Sequence, residues 1–415
     1  MMARTGASPT SRSAGPAAPV RSSSVRASKT GQLDVDGLLA DRTVDIIVCC
    51  GAGGVGKTTT AAALALRAAE QGRKVCVLTI DPARRLAQSM GLTELDNTPR
   101  PVQGVDLGAG GSLDAMMLDM KRTFDEVVES AASPDKARQI LENPFYVALS
   151  SSFAGTQEYM AMEKLGQLHN DPDSRWDLIV VDTPPSRSAL DFLDAPERLS
   201  SLLDGRFMRV MVAPARGPAR ILTAGLSLVT GAMTKILGGE FLTDVQSFIA
   251  ALDTIFGGFR QRAEATYRLL QADETAFLVV AAPEPDAIRE AAYFAERLTS
   301  ERMPLAGLVV NRFHTRAGRS ISAADAESGA RRLAPIDGTD AADPAAQATA
   351  ELLLVHAERV RRSQREEKVA ARFTAGHPKV PTVAVPALPS DVHDLDGLRQ
   401  IGGLLAGDAQ LTAAD

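Results

Sequence analysis

The chain has 415 residues, room for two or three domains or for one large α/β unit with insertions. Its 45% hydrophobic and 23% charged residues exclude collagen-like, wholly disordered and disulfide-scaffold classes, and 4% aromatics leave Ala, Val, Leu and Ile to fill the interior. The 45 basic and 51 acidic side chains sum to -6, which gives no general attraction to anionic lipid and speaks against a nucleic-acid partner.

Residues 1–32 carry Arg4, Arg12, Arg21, Arg26 and Lys29 without an acid and are rich in Ser, Ala and Pro. They lack the apolar core of a signal peptide and read as a disordered basic tail. From Leu33 onward, short Val- and Ile-rich runs alternate with segments of helical period, the pattern of a mostly parallel central sheet flanked by helices. Strands are expected at Val44–Cys50, Val75–Ile80, Asp177–Val181, Ala276–Ala281, Leu305–Val310 and Thr382–Val385, with a weaker signal at Ala115–Leu118. Several are apolar throughout, as strands buried on both faces are.

The alternation breaks between Asp182 and Ala276, where Phe241, Val245, Phe248, Ile249, Leu252, Ile255, Phe256 and Phe259 fall at helix-face spacing. With the Met- and Leu-containing stretch Phe207–Leu237 before it, this predicts an α-helical insertion over 195–272. Its apolar side chains suit either an adaptable client surface or packing of the insertion on itself. A further helix is expected at Pro344–Phe373, with the charged run Glu358–Lys368 as a solvated face, and 406–415 reads as a flexible terminus.

No uncharged apolar run reaches the length of a transmembrane helix, so no transmembrane segment is expected. Cys49, Cys50 and Cys76 lie in strand-like runs without metal-ligand spacing, which fits a reducing, cytoplasmic setting.

The first expected strand runs directly into Gly51-Ala52-Gly53-Gly54-Val55-Gly56-Lys57-Thr58, followed by an Ala-rich helix. This is G-x-x-x-x-G-K-[ST], in which backbone N–H groups surround phosphate oxygens, the lysine neutralises charge and the hydroxyl ligates Mg²⁺. The same residues satisfy G-x-G-x-x-G, and Asp81 ends the next strand roughly 25 residues after Gly56, as a dinucleotide-binding oxidoreductase would require.

The readings part at Lys57 and Thr58, because a triphosphate needs the cation and hydroxyl that stand there. Asp182 caps the apolar strand Asp177–Val181, the usual origin of the Walker B carboxylate that holds Mg²⁺ through water. The candidate phosphate residues are Gly51, Gly53, Gly54, Val55, Gly56, Lys57, Thr58 and Thr59, with Thr58 and Asp182 on the metal. No N-K-x-D motif for guanine occurs, which favours ATP.

The loop Gly51–Thr60, Thr79-Ile80-Asp81-Pro82-Ala83, Asp182-Thr183-Pro184-Pro185, Val310-Asn311-Arg312 and Pro386-Ala387-Leu388-Pro389 together resemble the ArsA and Get type of deviant Walker A ATPases, the anion-transporting ATPases. The resemblance covers about residues 41 to 405 and implies one P-loop NTPase domain over that span. It implies a homodimer or heterodimer whose nucleotide sites face each other, and a switch that couples ATP hydrolysis to a client or a membrane partner.

Through it, Asp81 is assigned to the attacking water, with a helix N-cap as the alternative role. Asn311 is assigned to adenine, with an ordinary turn residue as the alternative, and Pro386 to the wall of the base site. Ala148–Met162, with Gly155, Thr156 and Glu158, resembles the dimer-facing loop.

Three departures stand out. Ala52 occupies the position of the lysine that reaches the partner's phosphates, so a related subunit carrying that lysine, or Arg187, would have to replace it. The cysteines do not match a zinc clamp or an arsenite site. Arg187 stands where relatives have a small residue. A low-turnover regulatory subunit is the alternative function.

Overall fold

The computed structural model of the chain describes residues 31–408 except 82–84, 93–94, 144–145, 148–155, 172–174, 185–260, 316–320 and 334–342. The tail up to residue 30, most of the expected insertion, Pro82, Ala83, Pro185, Arg187 and residues 409–415 lie outside the described residues, as do Gly155 and the side chains of Thr156 and Glu158.

The strands β1 (Ile46–Cys50), β2 (Lys74–Thr79), β3 (Arg100–Pro101), β4 (Ser112–Met117), β5 (Leu178–Asp182), β6 (Thr275–Ala281), β7 (Leu305–Phe313) and β8 (Thr382–Pro386) form one sheet. Their order is β3-β4-β2-β5-β1-β6-β7-β8, and every pairing is parallel except β3 with β4. This is the mostly parallel α/β fold of a P-loop NTPase.

Every strand expected from the sequence is present, with shifted ends. Asp177 falls before β5 because its carboxylate accepts hydrogen bonds from Arg42 Nη1 at 2.7 Å and Arg73 Nε at 2.9 Å at the edge of the sheet. β3 is new: two residues with a proline carry no period, and an edge strand tolerates the missing N–H.

β1, β5 and β6 are buried along their whole length, which is why their Val, Ile, Leu and Cys run without polar alternation. Successive side chains still alternate between two cores. Ile46, Val48 and Cys50 pack on one face with the helices Met120–Ala131, Thr156–Asn170 and Pro285–Ser300. Ile47 and Cys49 face the other side, against the helices Val35–Ala40, Lys57–Glu70 and Leu395–Ala406. The helix Lys57–Glu70 is Ala-rich on its buried positions, which lets its backbone lie close to the strands.

Helix ends follow local chemistry. Asp119, Asp343 and Asp394 each accept a backbone N–H in the first turn of the helix they precede, and Gly407 at φ 81° closes Leu395–Ala406. The helix expected at Pro344–Phe373 runs Pro344–Gly376. Residues 261–271, at the end of the expected insertion, are helical. Order extends slightly beyond the predicted limits, since Gln32 bridges Thr382 and Asp408 pairs with Arg67.

Register then sets the site. Asp182 on β5 lies opposite Cys49 of β1 and Thr79 of β2, so three segments far apart in sequence end side by side at the carboxyl edge of the sheet. In open α/β sheets that edge is where ligands bind.

Candidate nucleotide site

The glycines of the loop after β1 are demanded by backbone and space. Gly51, Gly54 and Gly56 have φ of 149°, 75° and 93°. A Cβ on Gly51 would lie 2.1 Å from the carbonyl oxygen of Val280, and one on Gly56 would lie 2.2 Å from Asn311 Nδ2. The loop thus turns tightly against β6 and β7 before the helix Lys57–Glu70 begins.

Lys57 is buried, and its Nζ donates to the Ala52 carbonyl at 2.8 Å. Burial lowers its pKa, against the opposing pull of Asp182. Asp182 is fully buried, and Oδ2 accepts from Thr79 Oγ1 at 2.9 Å while Oδ1 has no hydrogen-bond partner. Burial pushes its carboxyl up to about 6, against the lowering effects of the Thr58 and Thr79 hydroxyls and of Lys57. The Thr58 hydroxyl thus stands near the Asp182 carboxylate, while Oδ1 makes no well-formed hydrogen bond.

Thr183 Oγ1 donates to the Cys49 carbonyl at 2.9 Å, fixing the chain after β5. The Asp81 N–H donates to Thr79 Oγ1 at 3.2 Å, so one hydroxyl ties Asp81 and Asp182 together.

A cavity of about 790 Å³ opens above this edge. Gly54, Gly56, Lys57, Thr58, Thr59, Asp81, Asn311 and Pro386 all line it. Gly51, Gly53, Val55 and Asp182 do not: Gly51 packs on Val280, Gly53 is exposed, Val55 is in the core, and Asp182 sits behind the lining residues.

Asn311 has a second task beyond its place in the wall. Its Nδ2 donates to the Val55 carbonyl at 2.9 Å and its Oδ1 accepts from Arg312 N at 3.0 Å, clamping the glycine loop to β7.

The cavity also holds residues to which the motifs assigned no role. Arg312, in the left-handed region at φ 59°, donates from Nη1 to the Gly54 carbonyl at 3.2 Å. His314 and Arg362 line the wall and meet at Glu366. Glu366 corrects the reading of Glu358–Lys368 as a solvated face, since it is buried under His314 while its neighbours Glu358 and Arg359 are exposed. Arg312 belongs to the quoted motif Val310-Asn311-Arg312, and proximity to it in sequence is the only signal that could have marked His314. None marked Glu366.

The three cysteines are free and buried, and burial raises all their thiol pKa values, that of Cys50 to about 12. Among the described residues no helix is long and apolar enough to cross a membrane.

A parallel sheet with a glycine loop, a buried lysine at the start of a helix and a buried strand-end aspartate defines a P-loop nucleoside triphosphatase. The model of the anion-transporting ATPases matches residues 44–323, and the chain belongs to that family and is an ATPase that binds nucleotide. ATPase GET3 of Ajellomyces dermatitidis is 27% identical over 278 residues, 66% of this chain and 74% of that protein. ATPase GET3C of Arabidopsis thaliana is 26% identical over 270 residues, 63% of this chain and 65% of its own. Family membership decides against the oxidoreductase alternative. The matched stretch stops before Pro386.

Proposed function

We propose that the chain is a Mg²⁺-dependent switch ATPase that works as a dimer in the cytoplasm and couples ATP hydrolysis to a client or membrane partner. The observation that carries the catalytic part is the Asp182 oxygen, buried and without a partner, directly behind Lys57 and Thr58. A divalent cation fits there, because an orphaned carboxylate oxygen beside a hydroxyl is an all-oxygen donor set. Thr58 and Asp182 would hold Mg²⁺, Asp182 through water. When bound, the ion offsets charge on the phosphates.

The remaining steps belong to the chain's own side chains. Lys57 leaves the Ala52 carbonyl and pairs with phosphate oxygens, joined by the backbone N–H groups of Gly53, Gly54, Val55 and Gly56, with Gly51 making the turn. Thr59 continues the helix N-terminus toward the phosphates. Asp81 holds a water in line with the γ-phosphorus and takes up its proton as the bond to the leaving oxygen breaks. Asn311 and Pro386 border the adenine.

Asp81→Asn should leave Mg-ATP affinity within about twofold and lower kcat by about 10²–10⁴-fold, since an amide takes no proton. Calorimetry and phosphate release measure the two effects. A parallel loss of affinity and turnover would make Asp81 a structural cap.

A second reading, a low-turnover regulatory subunit, is favoured by Ala52, which brings no cation to a facing site. Neither the described residues nor the relatives favour a heteromeric partner that carries the lysine. The candidate client stretch Phe207–Phe259 lies outside the described residues, so client coupling rests on the family resemblance.

A further inference from the structure

His314, Glu366 and Arg362 have no part in the mechanism above. The His314 backbone N–H donates to Glu366 Oε2 at 2.7 Å, and its ring Nδ1 lies 2.9 Å from Oε1. Arg362, one turn earlier on the helix Pro344–Gly376, donates from Nε to Oε1 at 3.0 Å. Glu366 is only 7% exposed.

Two contacts to one carboxylate fix both the place of residue 314 and the edge its ring turns to the helix. Facing a carboxylate oxygen, Nδ1 carries the proton, so Nε2 of the neutral ring is an acceptor on the far side. An imidazole held this way has little freedom left to lose on binding, which preorganises its open edge.

His314 lines the same cavity as Lys57, Thr58 and Thr59, two residues beyond Arg312, whose side chain touches the loop at Gly54. It follows Phe313, whose carbonyl accepts from Ala387 N at 2.9 Å, and so belongs with Pro386 and Leu388 in the wall built at the end of the sheet's last strand. Phosphates seated on the glycine loop would leave the nucleoside against that wall.

We propose that His314 recognises the nucleoside of ATP, Nε2 accepting a hydrogen bond from the 6-amino group of the base or from a ribose hydroxyl, with Glu366 as the positioning residue. The proposal rests on the reading of this cavity as the ATP site. Glu366, in a helix far along the chain, thereby carries nucleoside selectivity to a site built mainly from β1, β2 and β7.

The test is calorimetric binding of Mg-ATP, purine riboside triphosphate, 2′-deoxyATP and 3′-deoxyATP to the full chain. One neutral hydrogen bond is worth about 2- to 13-fold in affinity, so the parent should disfavour one of the three analogues by that factor. In His314→Phe that analogue and ATP should bind alike. Glu366→Gln leaves a single acceptor oxygen for three donors, two from His314 and one from Arg362, and should shrink the same discrimination, which supplies the comparison if His314→Phe does not fold. Equal affinity of the parent for all four nucleotides, or discrimination unchanged in both variants, would overturn the proposal and leave the ATP site standing. A parent that binds no ATP would overturn the cavity reading itself.

Discussion

Asp182 carries a cost that ligand-free protein cannot avoid. Its folded pKa of about 6 lies above the ordinary 3.8 because burial disfavours the charged form. The folded state therefore holds the proton more tightly than the unfolded state. The stability this confers is fully present below about pH 4 and is lost as pH rises through about 6. Two units correspond to on the order of 3 kcal/mol. Asp182→Asn keeps an acceptor for Thr79 and removes the titration. Without nucleotide or metal, its stability relative to the parent should rise by up to about that amount between pH 4 and 7, measured by urea unfolding. A difference that does not vary with pH would mean that the carboxylate is solvated or fully paired. The same substitution should raise the Mg²⁺ concentration needed for half-maximal turnover, because one of the groups that hold the ion loses its charge.

Elements differ in how openly they declare themselves. β1, β5 and β6 were legible because strands buried on both faces need unbroken apolar runs, and the glycine loop because its spacing answers to a phosphate. β3 escaped since two residues at an edge have no period, and Glu366 escaped since one buried carboxylate in a charged run looks like its solvated neighbours. Arg73 escaped for the same reason.

Its side chain is 1% exposed, and its guanidinium donates to the Leu39, Asp41, Val44 and Asp177 carbonyls and to the Asp177 carboxylate at 2.9 Å. It thus ties the turn before β1 to the starts of β2 and β5. Arg73→Met should cost about 3–5 kcal/mol, because several buried oxygens lose their donor at once. Arg73→Lys should recover little, as an ammonium cannot span that fork. Urea midpoints check both, and a loss below about 1 kcal/mol would reduce the cluster to a surface ion pair.

At the scale of the molecule, strand order makes the site. The crossing of β5 between β1 and β2 brings Asp182 beside residues more than a hundred positions away, which sequence can suggest only through motifs. The family match over residues 44–323 takes in β1 to β7, while the wall at Pro386, the end of β8, is known from the fold alone.

If turnover is slow for want of a cation supplied across a dimer, Ala52→Lys should raise it at least tenfold, toward the 10³–10⁵ that such cations contribute to phosphoryl transfer. Unchanged turnover would place the limit elsewhere than at residue 52.

Binding of ATP with its phosphates at Lys57 is tested by calorimetry of Mg-ATP with the parent and with Lys57→Ala. A lost charge-assisted contact should weaken binding by about 10- to 100-fold or abolish it while the thermal unfolding profile stays that of a folded protein. Equal affinity in the two proteins would mean that the phosphates bind elsewhere than at Lys57.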